Sequence, residues 1–251
     1  MLGRFSWIAL GLGTYLVFVM VLFPASVAYR WFAPDSVRLS GIEGTVWAGN
    51  AILGSVGNVG FYDLEWRLRP WYAVFLQVGG QLQARLADGF LSTTVQAGLT
   101  QMTLTELQAT VSLAGLRDLL PLGAMQGLVS AQFERLRIEN EWPVEAIGEV
   151  RVGELGVPPM MIPGGELLEL GNYRVRFSST QSADLVGSFE NQGGPLEATG
   201  SLRFSPNRAY AIEGVARARP GAPPELVQGL EIMTASPDAS GLRAFDFSGS
   251  L

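Results

Sequence analysis

The side chains that could do covalent or metal chemistry are few. The 251-residue chain has no His and no Cys, and all 17 of its basic residues are Arg. Ser-His-Asp and Cys-His nucleophiles, imidazole or thiolate zinc sites, an axial haem His and disulfides are therefore excluded. The absence of Lys also removes Schiff-base chemistry and the phosphate-binding lysine of P-loops. Carboxylate chemistry remains. Glu139 and Glu141 stand beside Trp142, and Glu166 stands close to Glu169; a pair of acids is the minimum set for glycoside hydrolysis. Both pairs sit among turn-forming residues, where charges are usually just solvated. No catalytic residue, metal ligand or cofactor site is assigned, and the chain is read as a non-enzyme.

Binding chemistry is bounded in the same way. The net charge is −6, opposite in sign to a nucleic-acid-binding surface. The glycine-rich run Gly41-Ile42-Glu43-Gly44-Thr45-Val46-Trp47-Ala48-Gly49-Asn50-Ala51 has neither a dinucleotide fingerprint nor a Walker pattern. It reads instead as two strands meeting around Glu43-Gly44 in a hairpin or a bulged strand, with Ile42, Val46 and Trp47 packing.

The elements that must position these residues begin with an apolar segment. Residues 5–23, FSWIALGLGTYLVFVMVLF, carry no charge, and about 20 such residues span the hydrocarbon of a bilayer as a helix. Trp7 and Tyr29–Trp31 stand near its ends as interfacial aromatics would. Ser26-Val27-Ala28 offers a signal-peptidase-like site, but the apolar run exceeds the roughly 7–15 residues of a cleaved signal. The expectation is a cytoplasmic stub at 1–4, a retained single-pass anchor at 5–29, and a body at 37–251 on the far side of the membrane. One Arg and the terminal amine precede the span while Arg30 and Arg38 follow it, so charge alone barely orients it. The lack of a second apolar span favours an exported body.

The body changes to period two. Asp63 to Arg69 alternates charge with bulk, which places Leu64, Trp66 and Leu68 on one face and the charges on the other. Gln81–Leu86, Tyr173–Phe177 and Ser201–Phe204 read alike. Alternation of this kind belongs to antiparallel sheets with one wet face. With 31 Gly and 14 Pro, turn signals recur at a spacing that predicts roughly eleven to thirteen strands. Gly recurs at or inside the strands (Gly41, Gly80, Gly127, Gly148, Gly200, Gly214, Gly249), marking bulges, close backbone approach or simple strand starts. Short helices are expected only near Leu116–Leu120, closed by Pro121, and at Pro224–Met233. Each is followed by a loop and a Gly-bearing strand, an arrangement compatible with two similar halves meeting near 125–145. The fold class expected is all-β: an N-terminal transmembrane helix followed by a curved antiparallel multi-stranded sheet, a groove or open roll, with one or two short helices.

An N-terminal apolar anchor, then Pro24-Ala25, then GIEGTVWAGNA, then Leu64-Glu65-Trp66-Arg67-Leu68-Arg69-Pro70, in that order and spacing, resembles the type II secretion system protein N family. The segment Pro237-Asp238-Ala239-Ser240-Gly241 and the closing Phe247-Ser248-Gly249 are similar to that family's C-terminal end. The family in turn looks like a short relative of the AsmA-type periplasmic proteins, which build curved β-grooves. The resemblance implies an inner-membrane, periplasm-facing component of the Gram-negative machine that moves folded proteins across the outer membrane, with other secretion components as partners. It supplies no catalytic or ligand-binding residues. The structural or interaction candidates are Gly41, Gly44, Trp47, Gly49, Leu64, Trp66, Leu68 and Pro70. The AsmA likeness implies an alternative, a groove that binds or passes lipid acyl chains. If Leu64, Trp66 and Leu68 pack on a second sheet they are core; if they line an open trough they suit lipid. The sequence reading takes Trp66 as a core anchor.

Overall fold

The computed structural model describes residues 11–15, 18–33, 36–56, 59–75, 77–86, 88–116, 125–140, 142–157, 167–179 and 184–250. Near the N-terminus, residues 11–15 and 18–21 are helical. Residues 22–24 leave the helix, and a separate helix α1 (Ala25–Phe32) follows. Pro24, which has no N–H to donate, is the residue before α1. Residues 25–29, the last of the expected 5–29 anchor, belong to α1. Residues 1–10 and 16–17 lie outside the described residues. Among the described residues no helix is long and apolar enough to cross a membrane.

The described strands after α1 form one sheet. Its strands are β1 (Val37–Gly44), β2 (Ala48–Val56), β3 (Val59–Leu68), β4 (Val78–Leu86), β5 (Gly89–Ala97), β6 (Gln101–Ser112) and β7 (Gln126–Glu139). They continue as β8 (Trp142–Val157), β9 (Leu168–Ser179), β10 (Leu185–Asn191), β11 (Leu196–Phe204), β12 (Ala209–Ala218) and β13 (Arg243–Ser250). The spatial order of the 13 strands equals their chain order, each pairing antiparallel with its sequence neighbours, and β1 does not meet β13. Helix α2 (Pro224–Met233) lies in the β12–β13 connection, where proline-opened helix formers predicted it. A 3-10 turn, Leu113–Leu116, stands at the start of the helix expected at 116–120, whose residues 117–120 lie outside the described residues. A second 3-10 turn, Pro70–Phe75, was not signalled by periodicity.

The alternation read from the sequence becomes two unlike faces. One row of register partners runs Leu107, Phe133, Gly148, Phe177, Gly187, Leu202, Ile212, Phe247 across eight strands. The adjacent row on the opposite face runs Gln108, Gln132, Glu149, Arg176, Ser188, Ser201, Glu213, Asp246. No second sheet packs on the apolar row. Ala51, Ala146 and Ala216 are at 2% exposure or less, Leu107, Leu113, Leu226 and Glu145 are buried less completely, and no large side chain is fully buried among the described residues. The accessible surface is 16017 Å², against roughly 11,000 Å² for a compact monomer of 27.0 kDa.

Aromatic rings nevertheless shield part of the apolar side. Phe189 on β10 and Phe245 on β13 have ring centroids 6.2 Å apart, each leaning over the glycine beside it, Gly200 and Gly214, which stand between them in register. Phe133 on β7 and Phe177 on β9 are 5.8 Å apart. The bending devices are only partly the glycines. Register shifts fall at Asp63, Glu106 and Glu154, whose φ values are 48°, 53° and 51°. These are bulges at acidic residues in the left-handed region, where the sequence pointed to Gly. Gly200, Gly214 and Gly249 are instead needed for space, because a Cβ there would strike the rings of Phe189, Phe245 and Tyr210.

Candidate functional site

The candidates picked from sequence gather largely at one end of β1–β4. The turn lies at Thr45-Val46-Trp47, one step later than the expected Glu43-Gly44, which are the last residues of β1. Gly44 and Gly49 are register partners closing the hairpin. Gly44 has φ +88°, and a Cβ there would lie within 3.0 Å of the Ala48 carbonyl oxygen, so both conformation and space require Gly. A Cβ on Gly49 would lie within 3.0 Å of both the Glu43 carbonyl oxygen and the Trp66 ring. Gly49 and Trp66 are themselves register partners, so the indole lies over the glycine it faces.

Trp66 does more than pack. Its indole N–H donates to the carbonyls of Thr45 (3.2 Å) and Val46 (3.1 Å), satisfying turn groups that no strand pairs. Trp66 is half-buried and no second layer covers it, so it anchors an open hairpin and not a closed core. Trp47 extends the junction the other way, its indole N–H donating to the Met20 carbonyl at 2.7 Å. The Val46 N–H donates to the Phe23 carbonyl at 3.0 Å, and Pro24 bridges to Thr45. The Leu68 N–H donates to the Trp47 carbonyl at 2.6 Å. Three strands and the N-terminal helical segment thus converge on three turn residues. Pro70 opens the 3-10 turn just beyond Leu68, and Leu64 pairs with the buried Ala51. Gly41, with φ +66°, stands apart from the turn, in β1, where a Cβ would strike Ile52.

Sequence reasoning missed Met20, Phe23 and Tyr29 as parts of this junction. Tyr29, expected at a membrane interface, uses its hydroxyl on the sheet: it donates to the Val37 carbonyl and accepts from the Leu39 N–H, both at 3.0 Å. Trp31 and Phe32 remain exposed. The Pro24-Ala25 pair of the motif was the one available signal that this stretch contacts the hairpin.

The polar face carries an ion-pair ladder across β7–β10. Glu145, nearly inaccessible, faces Arg135 and Arg137, each at 3.6 Å. Glu149 meets Arg151 and Arg174, and Glu190 meets Arg174 at 3.6 Å and Arg176 at 3.1 Å. Glu139, one of the acids considered for hydrolysis, is paired with Arg137 at 3.4 Å. Glu141 and Glu166 lie outside the described residues. On the apolar face the Tyr173 hydroxyl is buried without a hydrogen-bond partner, and burial pushes its pKa up to about 12. Among the described residues no group of three or more acidic side chains could hold a metal. What the described geometry offers is a clamped N-terminal junction and an apolar row about 34 Å long across the seven strand spacings from β6 to β13.

Comparison with known proteins gives a consistent result. The family described as type II secretion system (T2SS), protein N, matches residues 35–246, from just before β1 into β13. The chain is also 24% identical over 259 residues to the type II secretion system protein N of Aeromonas hydrophila, covering 97% of each chain. No solved structure matches it.

Proposed function

This chain belongs to the type II secretion system protein N family, a component of the type II secretion machinery, and from that membership we propose how it serves there. It is held in the inner membrane by the apolar segment 5–23, exposes residues 37–251 to the periplasm, and acts by contacts with other secretion components. The observation that carries this reading is the junction. The signature residues Gly44, Trp47, Gly49 and Trp66 surround the turn that hydrogen-bonds the end of the apolar run, at Met20 and Phe23. Sheet and anchor then move as one body, which suits a part that must present a surface at a fixed distance from the membrane. Deleting the gene and assaying secreted enzyme in medium against periplasm tests the role: periplasmic retention is expected, restored by the wild-type chain. A C-terminal alkaline phosphatase fusion with N-terminal sequencing tests the topology. An inactive fusion, or a mature N-terminus after Ala28, overturns it.

A second reading is favoured by the apolar row, which runs from the buried Leu107 through the half-buried Phe133, Phe177, Leu202 and Ile212 to the exposed Phe247 with no second sheet over it among the described residues. In this reading the face holds acyl chains. Lipid extraction and mass spectrometry of the full chain purified in mild detergent decides it. Phospholipid that co-purifies stoichiometrically and is lost on Leu107→Asp, with the fold retained by circular dichroism, supports the groove. Equal lipid in both proteins refutes it.

A further inference from the structure

The two edges of the sheet, β1 and β13, are treated differently by the chain. At β1 part of the outward edge is occupied: the Tyr29 hydroxyl takes the Val37 carbonyl and the Leu39 N–H, and Pro24 bridges to Thr45 just beyond the strand. At β13 the covering contact is a single one near the strand's start, the Ala235 N–H donating to the Ala244 carbonyl at 2.8 Å. That bond fixes which residues face outward: by period two, Asp246, Ser248 and Ser250 follow Ala244 in turning N–H and C=O away from β12. Among the described residues nothing pairs with them. The register with β12 is unbroken from Ala209↔Ser250 to Ala216↔Arg243, and β13 contains no Pro, Lys or bulge. These are the usual guards of an edge, and they are missing from an edge whose last residues are exposed.

We propose that a second copy of this chain adds here, β13 against β13, antiparallel about a twofold axis through Ser248. This goes beyond the secretion role and does not depend on it. Three observations select a second copy over an unrelated strand. The register is self-complementary: Ser248 meets its own counterpart and Asp246 meets Ser250 of the second copy, all outward-facing, giving about six inter-strand hydrogen bonds. It also continues the sheet's packing habit, in which Phe133, Phe177 and Phe189 each face a glycine of the following strand, Gly148, Gly187 and Gly200. In the paired form Phe247 faces Gly249 of the second copy in the same way. The two Asp246 carboxylates are kept about 14 Å apart along the strands, beyond the roughly 8 Å screening length. Because the contact is isologous and uses the β13 edge of both copies, and the β1 edge is obstructed at both ends by Tyr29 and Pro24, the assembly closes at two copies and does not grow into a fibre. A perpendicular twofold leaves both apolar faces on the same side, so the two troughs become continuous.

The chain has no cysteine, so a single introduced thiol reports the contact without background. Full-length Ser248→Cys in its native membranes, mildly oxidised, should form a disulfide dimer on a non-reducing gel, since directly opposed strand residues lie within disulfide reach. Ser250→Cys alone should stay monomeric, but it should cross-link when co-expressed with an Asp246→Cys chain. Ser188→Cys, on the interior strand β10, should stay monomeric. Ser248→Pro, which removes the central donor, should halve the mass measured by light scattering while leaving the circular dichroism unchanged. Repeating the Ser248→Cys cross-link in a strain lacking the other secretion genes separates this contact from the secretion role, and the dimer should persist. Cross-linking of Ser248→Cys no greater than that of Ser188→Cys overturns the proposal. So does a photo-cross-linker at position 248 that captures a different protein and not the chain itself.

Discussion

Replacing Trp66 tests the junction most directly, because its two roles can be removed separately. In Trp66→Phe a ring still lies over Gly49, but the N–H that reaches the Thr45 and Val46 carbonyls is gone. One hydrogen-bond donor is worth about 1 kcal/mol net, and solvent can reach these half-open carbonyls, so the loss should not exceed that. In Trp66→Ala the ring goes as well. A fully enclosed Trp→Ala change costs about 3–5 kcal/mol, whereas Trp66 is half-buried under no second layer, which brings the packing part to about 2 kcal/mol by proportion. The totals are about 1 kcal/mol for Phe and about 3 kcal/mol for Ala. At about 2–4 °C per kcal/mol for a chain of this size, the melting temperature should fall by about 2–4 °C and about 6–12 °C respectively. Thermal circular dichroism of the full chain in detergent measures both. Because each strand packs on its sequence neighbours, hydrogen exchange in Trp66→Ala should quicken in β1–β4 and stay unchanged in β7–β10. Equal losses for Phe and Ala, or an Ala variant melting within 2 °C of wild type by the scale above, would refute the division into donor and ring.

Further outcomes follow from the same geometry. Gly49→Ala, whose Cβ would meet both the Glu43 carbonyl and the Trp66 ring, should cost about 1–3 kcal/mol, while Gly60→Ala, with open space around it, should be near neutral; chemical denaturation compares them. Tyr173 should ionise near pH 12 in an absorbance titration at the tyrosinate band, a step absent from Tyr173→Phe. Its folded pKa lies above the unfolded value of 10.0, so the native state holds the proton more tightly. Its contribution to stability is therefore complete below pH 10.0 and is lost as pH rises towards about 12; Tyr173→Phe should reduce that alkaline loss. Arg137→Ala, which strips one of two partners from the inaccessible Glu145, should cost about 2 kcal/mol. Arg151→Ala, whose side chain is half exposed, should cost less than about 1 kcal/mol in the same melts.

What the sequence determined by itself was everything that depends on local period and composition. Strict alternation at Asp63–Arg69 placed Leu64, Trp66 and Leu68 together, and they do share a face, because side-chain direction in a strand is a property of the backbone at that residue. Pro223-Pro224 located α2 for a similarly local reason, a preset φ at the first turn. The missing His, Cys and Lys excluded whole chemistries with no need of coordinates. Tertiary structure decided the rest. Whether the apolar face meets a second layer depends on how far the strands curl, and that curl comes from bulges at Asp63, Glu106 and Glu154, acidic residues carrying no sequence mark of a left-handed backbone. Gly49, Gly200 and Gly249 could be recognised in sequence as unusual but not explained, since the rings that require them arrive from the neighbouring strand. Tyr29 was legible as an aromatic near a membrane and not as the cap of an edge, because its two partners on β1 are supplied only once the chain has folded back along the sheet. Pairing between segments distant in sequence is what an alternating pattern leaves free, and this protein's junction, its open trough and its one unguarded edge are all consequences of that pairing.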